Sequence, residues 1–459
     1  MNNMNESNLV TKMRHLNQQF DSALATSGIR PESRDFIRMA VDPFHDTPLT
    51  ITGSPDSVSG RSLVYDVRRQ LTITRPDNLS ENLNWDCHVA FIPAMIDWAS
   101  GSFDGGVIAP NSFGTLYTGN PSGTSELSIP VGNGHYDNST TFPSGGPFFW
   151  SCSQSGVATF DPGAMIGGLS RVYSTNISDG MDLSTGNKFR VIAGAFEVHD
   201  TTAEIYRQGS VTCYRTPQEI QETFIALTDR QRYPLEANCP VTIVQGPPSH
   251  LAQAKQLDGI TWQACEGALV PCQISFPDNT PAVPDGRALV VSSTAEVLST
   301  GCGCFAAGNL AYISNPSDSP PLLCHNSSLV PVPGTQSGAF FAGLHPNASL
   351  TLSIRAFIEV FPSPTSTLYP LARPTPKLDS NVAPLLDNIF SQLQPGYPVN
   401  FNAKGDFFKK IVSTVSKAYK TAMPMVIAGL SSSADPRLQA AAATLTAADT
   451  LGTTIANLS

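Results

Sequence analysis

Glycine and proline punctuate this chain from end to end, and between them only short apolar runs survive. The 459 residues contain 35 Gly and 37 Pro. Such residues set turns and interrupt helices, so many short strands fit the pattern and long helices do not. Length allows either two to four domains or one large β-domain with long loops, and the punctuation favours the second. Charged residues make up only 14 %, with Ser, Thr and Asn filling the spaces between apolar runs.

Alternation marks the strands. Leu63-Val-Tyr-Asp-Val-Arg-Arg-Gln-Leu-Thr-Ile-Thr reads as a half-buried strand, and Cys87-His-Val-Ala-Phe-Ile-Pro as another. Lys188 to Val198 and Ala203 to Tyr214 are two firm strands separated by His199-Asp-Thr-Thr, a pattern that predicts an antiparallel hairpin. Further strands are expected near 240–245, 268–275, 287–294, 338–344 and 348–361, and Pro374 ends the strand region. Residues 100–187 are rich in Gly, Ser, Pro and Asn and read as elaborated loops between strands.

The two ends differ from this body. Leu9, Val10, Met13, Leu16, Phe20 and Leu24 recur at near-helical spacing, and Pro31-Glu-Ser opens a second short helix through Ala40. Leu378 to Leu393 reads as a helix despite Pro384, with Leu385, Leu386, Ile389, Phe390 and Leu393 on one face. The expected fold is all-β, an antiparallel jelly-roll β-sandwich with helical N- and C-terminal segments; long, irregular connections suit an immunoglobulin-like array poorly. The expected organisation is an N-terminal helical arm over 1–48, a shell domain over 49–376 with a loop insertion at about 100–187, and a C-terminal helical region over 377–459.

A net charge of −10 argues against a freely soluble nucleic-acid binder, while leaving room for a local basic patch. Residues 1–27 are polar and mixed in charge, with no apolar core of a signal peptide. Ala422 to Leu430 is interrupted by Pro424 and too short to span a bilayer, so synthesis inside the cell is the simplest expectation. Nine cysteines make an odd set that does not read as a secreted disulfide framework, and Asn138-Ser-Thr and Asn347-Ala-Ser are then chance sequons.

Four short motifs bear on chemistry. From Gly405 to Lys420, Phe408, Ile411, Val412, Val415, Ala418 and Tyr419 would share one helical face, and Lys409, Lys410, Lys417 and Lys420 the other. A helix of about 15 residues is ~22 Å long, suited to a membrane interface but not to spanning one. A helix docked on the protein by its apolar face is the plainer reading, yet a basic face in so lysine-poor a chain points to lipid headgroups or nucleic-acid phosphates. Just upstream, the side-chain amide of Asn402 can attack its own carbonyl carbon, forming a succinimide and releasing the segment from Ala403, if a nearby acid or base moves the proton. Thr52-Gly-Ser-Pro-Asp56 reads as a turn before the first strand, with Asp56 bonding local amides. Cys302-Gly-Cys304 with Cys324-His325 has ligand-like residue types, but its gap fits no usual zinc spacing. No HxxxH pair, no phosphate-binding glycine loop and no defensible Ser/His/Asp order is present.

Taken in order, these segments resemble the capsid precursors of insect nodaviruses. The resemblance is carried by Gly53-Ser-Pro-Asp56 followed by Gly60 and a strand, by the Phe189–Arg215 strand pair, and by Ser337-Gly-Ala-Phe. It continues through Ser353-Ile-Arg, Phe357-Ile-Glu-Val-Phe-Pro and Pro376-Lys-Leu-Asp379 to Pro398-Val-Asn-Phe-Asn-Ala-Lys-Gly-Asp-Phe-Phe-Lys-Lys-Ile-Val. It implies a non-enzymatic coat protein, similar also to tombus-like coats, that self-assembles in many copies into an icosahedral shell around a small genome. Made in the host cytoplasm, it would reside in the virion. It further implies a single-turnover cleavage switched on by assembly, with Asn402 cyclising, Ala403 as the new N-terminus and Asp56 as acid/base. The released peptide, 403–430, would act on a host membrane, and Lys404, Lys409, Lys410, Lys417 and Lys420 would face lipid or genome. No cofactor is implied, and neither an interface cation such as calcium nor a host receptor is assigned.

Two departures stand out. Such coats carry an Arg-rich N-terminal arm, whereas residues 1–60 set Lys12, Arg14, Arg30, Arg34 and Arg38 against a larger number of carboxylates. Gly405-Asp406 lies inside the junction, with Asn400-Phe401 as a neighbouring alternative site. A carbohydrate-binding or adhesion β-sandwich is the competing class; it explains the turns and leaves the basic tail idle.

Overall fold

The computed structural model describes residues 29–45, 51–76, 82–93, 147–159, 187–217, 247–275 and 332–399, together with shorter pieces within 18–25, 79, 279–281 and 413 and the isolated strands given below. Strands β1 (Arg61–Thr74), β2 (Trp85–Phe91), β3 (Ile96–Asp97), β4 (Thr115–Tyr117), β5 (Glu126–Ser128), β6 (Phe148–Gln154) and β7 (Ser170–Ser174) come first. Next are β8 (Lys188–Asp200), β9 (Ser210–Pro217), β10 (Ile220–Ala226), β11 (Asn238–Gln245), β12 (Ile260–Gln263) and β13 (Ala268–Cys272). The series ends with β14 (Asp285–Ser292), β15 (Gly303–Ala307), β16 (Leu310–Ser314), β17 (Leu323–Val330), β18 (Thr335–Leu344), β19 (Ser349–Phe361) and β20 (Arg373–Pro374).

Two sheets carry the core. One has the order β13-β8-β19-β1-β20, the other β12-β9-β18-β2-β6-β7. Every pairing inside them is antiparallel. The chain crosses between the sheets at β1–β2, β8–β9, β12–β13 and β18–β19, which is the jelly-roll connectivity. Because neighbours run antiparallel, these four short connections share one end of the sandwich. The long connections β2–β8, β9–β12 and β13–β18 share the other.

This connectivity corrects the hairpin expected over 188–214. β8 pairs with β13 and β19, whereas β9 pairs with β12 and β18, so the two strands lie in opposite sheets. A hairpin needs a tight turn of matching twist. Here the connection is nine residues, 201–209, including a 3-10 turn at Glu204–Tyr206 rather than more strand.

The region expected as loops over 100–187 also contains structure. β6 is almost wholly buried and pairs along its full length with β2, while β7 pairs with β6. The three long connections supply a third sheet, five-stranded and of order β10-β11-β14-β17-β3, drawing strands from each of them. Two small two-stranded sheets, β4-β5 and β15-β16, complete the described elements.

Period-two alternation explains β1. Val67 and Ile73 lie in the core with Tyr65 and Leu71 against it, while Asp66, Arg68, Gln70 and Thr72 face solvent. β2 is buried at every position. Its Cys87, Val89 and Phe91 enter the core, and His88 packs on Phe340 outside it, beside Tyr214 and the helix Leu251–Gln256. Gly338 is required there, since a Cβ would collide with the Tyr214 phenol.

Two buried polar arrangements punctuate this packing. Arg190 of β8 and Glu359 of β19 form a fully buried ion pair at 2.7 Å, and the guanidinium also donates to the Asn279 carbonyl at 2.7 Å. His88 is fully buried, with Nδ1 2.9 Å from Thr159 Oγ1 and Nε2 2.9 Å from Tyr214 Oη. Burial pushes its pKa down from 6.5 to about 3, so the ring is neutral.

The chain divides into two compact units: Ser59–Pro374 with Pro395–Asn400, which holds the sandwich, and Met1–Val58 with Thr375–Gln394 and Phe401–Ser459. Within the second, the described elements include the helices Pro31–Val41 and Val382–Gln392, close to the two expected from sequence.

Glu359→Gln should destabilise the sandwich unit by about 3–5 kcal/mol, because it strands a buried cation. A urea unfolding midpoint equal to that of the parent would contradict this. For His88, the unfolded ring takes up a proton as pH falls below 6.5 while the folded one resists until about 3. Its contribution is therefore lost towards acid, at about 1.4 kcal/mol per pH unit within that window. Urea midpoints from pH 7 to pH 5 should fall less steeply in His88→Gln than in the parent.

Candidate functional site

Of the residues expected to take part in cleavage, Asp56 in the Gly53–Val58 turn lies among those the structure describes. The Asp56 carboxylate accepts the Val58 N–H at 2.8 Å, closing an Asx-type turn as expected from its sequence. Asp56 is half-buried. The neighbouring carbonyls are also engaged: Pro55 O accepts the Asp379 N–H at 3.0 Å, and Val58 O accepts the Thr375 hydroxyl at 3.2 Å.

Asp379 organises this unit. Its Oδ2 accepts the Arg30 N–H at 2.9 Å, at the entrance to the helix Pro31–Val41, and its Oδ1 accepts the Asn381 N–H at 3.3 Å, at the entrance to Val382–Gln392. One buried carboxylate thus satisfies amides at the start of two helices, while its own N–H fixes the turn that carries Asp56. Sequence reasoning included Asp379 in a motif without giving it this role. The available signal was an acidic residue ahead of a helix start, which is indistinguishable from an ordinary local cap.

The N-terminal arginines are held locally. Arg38 is buried, pairs with Asp21 at 2.7 Å and lies over the Phe20 ring at 5.2 Å. Arg34 reaches the Ile29 carbonyl at 3.4 Å. Downstream, Tyr397 forms a two-way backbone bridge with Leu269 of β13 at 2.7 and 2.9 Å, and Val399 packs where a Cβ on Gly267 would intrude. Asn402, Ala403, Lys404, Lys409, Lys410, Lys417 and Lys420, along with Asn400, lie outside the described residues.

The remaining candidates are dispersed. Cys304 is on β15 and Cys324 and His325 are on β17, in separate sheets, and Cys302 is outside the described residues. Among the described residues, no group of three or more His, Cys, Asp or Glu could hold a metal ion, and no helix is long and apolar enough to cross a membrane.

No family model matches the chain, and no curated protein matches it. Solved structures do. A structure of infectious bursal disease virus, Gx strain, is 9 % identical, with 82 % of this chain and 97 % of that chain covered at a TM-score of 0.37. The T13 particle of the same virus is 10 % identical, with 87 % and 98 % covered and a TM-score of 0.35. The decameric BFDV capsid protein is 8 % identical, with 65 % and 99 % covered and a TM-score of 0.19.

Asp379→Ala should cost about 1–3 kcal/mol locally, because it leaves helix-entrance amides without their acceptor. Hydrogen exchange should quicken in Pro31–Val41 and Val382–Gln392 while β1 and β19 keep their protection. Unchanged exchange in both helices would contradict the assigned role.

Proposed function

We propose that this chain is a viral coat protein, many copies of which close into a non-enveloped icosahedral shell around a small genome. The observation that carries this reading is the polarity of the sandwich. Four short crossovers lie at one end, where the β6–β7 connection also returns, while the three elaborated connections leave the sandwich from the other end and supply strands to one further sheet. A lean end lets copies approach closely, while the other end can carry a large surface without disturbing the core. The order of sequence motifs resembling insect nodaviruses adds to this, as does a separate compact unit that contains the helices Pro31–Val41 and Val382–Gln392. The step from fold to role is one of analogy, since a jelly roll also serves lectin-type binding proteins.

Within this reading, the basic segment 403–430 addresses a host membrane first and the genome second. The second place follows from Arg34 and Arg38, which are engaged inside the arm. Assembly-dependent cleavage between Asn402 and Ala403, with Asp56 moving the proton, belongs to the same proposal. Its support is a turn that holds the half-buried Asp56 through backbone bonds on either side.

Electron microscopy of the expressed full-length chain tests the coat reading. Uniform closed shells are expected; a dilute monomer would overturn it and favour a carbohydrate-binding or adhesion sandwich. Mass spectrometry of the shells then reads the cleavage: a fragment beginning at Ala403 is expected, and Asp56→Asn should abolish it without loss of shells. Intact chain alone in matured shells would remove the cleavage and leave the coat reading in place.

A further inference from the structure

The core contains a pair of buried thiols on neighbouring strands. Cys87 of β2 and Cys152 of β6 are direct partners in the antiparallel register, flanked by the pairs Asp86↔Ser153 and His88↔Ser151. Both side chains are fully buried in the same apolar cluster. Partner residues in antiparallel strands have Cα atoms about 4.5–5.5 Å apart, inside the roughly 4.4–6.8 Å that a disulfide spans.

We propose that Cys87 and Cys152 form a cross-strand disulfide when the chain folds in an oxidising thiol buffer, stapling β6 to β2. The co-reactant is a small-molecule disulfide such as oxidised glutathione. A thiolate from one cysteine attacks it and releases one reduced glutathione. The second cysteine then attacks the mixed disulfide and releases another. The two protein thiols lose two electrons and two protons, which the two glutathione thiols carry away.

Timing follows from the environment. Burial, followed by the neighbouring Cys152, holds the Cys87 thiol well above the ordinary thiol range, so little thiolate exists once the strands have closed. The bond therefore forms during folding, before β2 and β6 seal, and is then shielded. Cys213 lies on β9, Cys272 on β13 and the exposed Cys265 in the turn Ala264–Glu266, none of which pairs with β2 or β6.

The test folds the full-length chain from denaturant in reduced and oxidised glutathione, then unfolds it in urea with excess iodoacetamide so that buried free thiols are blocked too, and maps peptides without reduction. A linked peptide pair joining Cys87 to Cys152 is expected, lighter by two hydrogens than the two reduced peptides. It should be absent after folding in dithiothreitol and far less abundant in chain held in urea in the same glutathione buffer. Cys213→Ser should retain the link, and Cys152→Ser should return Cys87 in alkylated form. Alkylation of both cysteines in the folded parent chain, or equal linkage in urea, would overturn the proposal irrespective of how the variants fold.

Discussion

The pairing of β1 with β19 is the constraint from which the rest of this architecture follows. Twelve residue pairs, from Leu63↔Val360 to Thr74↔Ser349, zip together segments that are nearly 300 residues apart in the chain. Closing so long a loop is entropically costly, and only a long, well-registered interface offsets it. The interface also fixes the faces. Val67 and Ile73 enter the core beside Ile354, Leu352 and Leu350, and a slip of one residue would turn all of them to solvent. β8 then lies against β19 and β13 against β8, and the opposite sheet inherits its order from the crossovers.

Polar groups are spent where they hold this arrangement in place. At the lean end, Asp86 accepts the Gly343 and Gly156 amides at 2.7 and 3.1 Å, Trp85 donates to the His345 carbonyl at 2.9 Å, and Tyr206 stacks on His345. Burial pushes the Asp86 carboxyl up, and those amides pull it back part of the way. Arg190 with Glu359 ties β8 to β19 in the interior of a sheet face. Such groups are expensive to bury unless paired, and so they favour one register over its neighbours. Asp379 does comparable work in the other unit, where one carboxylate joins two helix entrances and its own amide anchors the Asp56 turn.

Much of the sandwich is legible in the residues. Alternation in β1, the apolar runs of β13 and β19 and the turn at Asp56 all follow from local rules, as do the helices at 31–41 and 382–392. Two features do not. Strand patterns say which residues face a core but not which strand lies beside which, and β8 and β9 part into opposite sheets for reasons seated in β18 and β19. β6, the Phe-Phe-Trp-Ser-Cys-Ser run, hides in a Gly/Ser-rich stretch because it is short and buried on both faces, so that Phe149 blurs the alternation by which Phe148, Trp150 and Cys152 enter the core. The role of Asp379 depends on partners more than 300 residues away, beyond the reach of any local motif.

A sandwich closed by its first and last strands leaves both chain flanks free to build something else, and leaves one end free to grow. The proposed coat role uses both freedoms. Its foundation is the closure itself, which native-state hydrogen exchange of the full-length chain reads most directly. Amides of β1 and β19 should open together and last, with β8 alongside and the sheet of β10, β11, β14 and β17 exchanging earlier. Loss of protection in β1 while β19 and β8 remain closed would contradict the account.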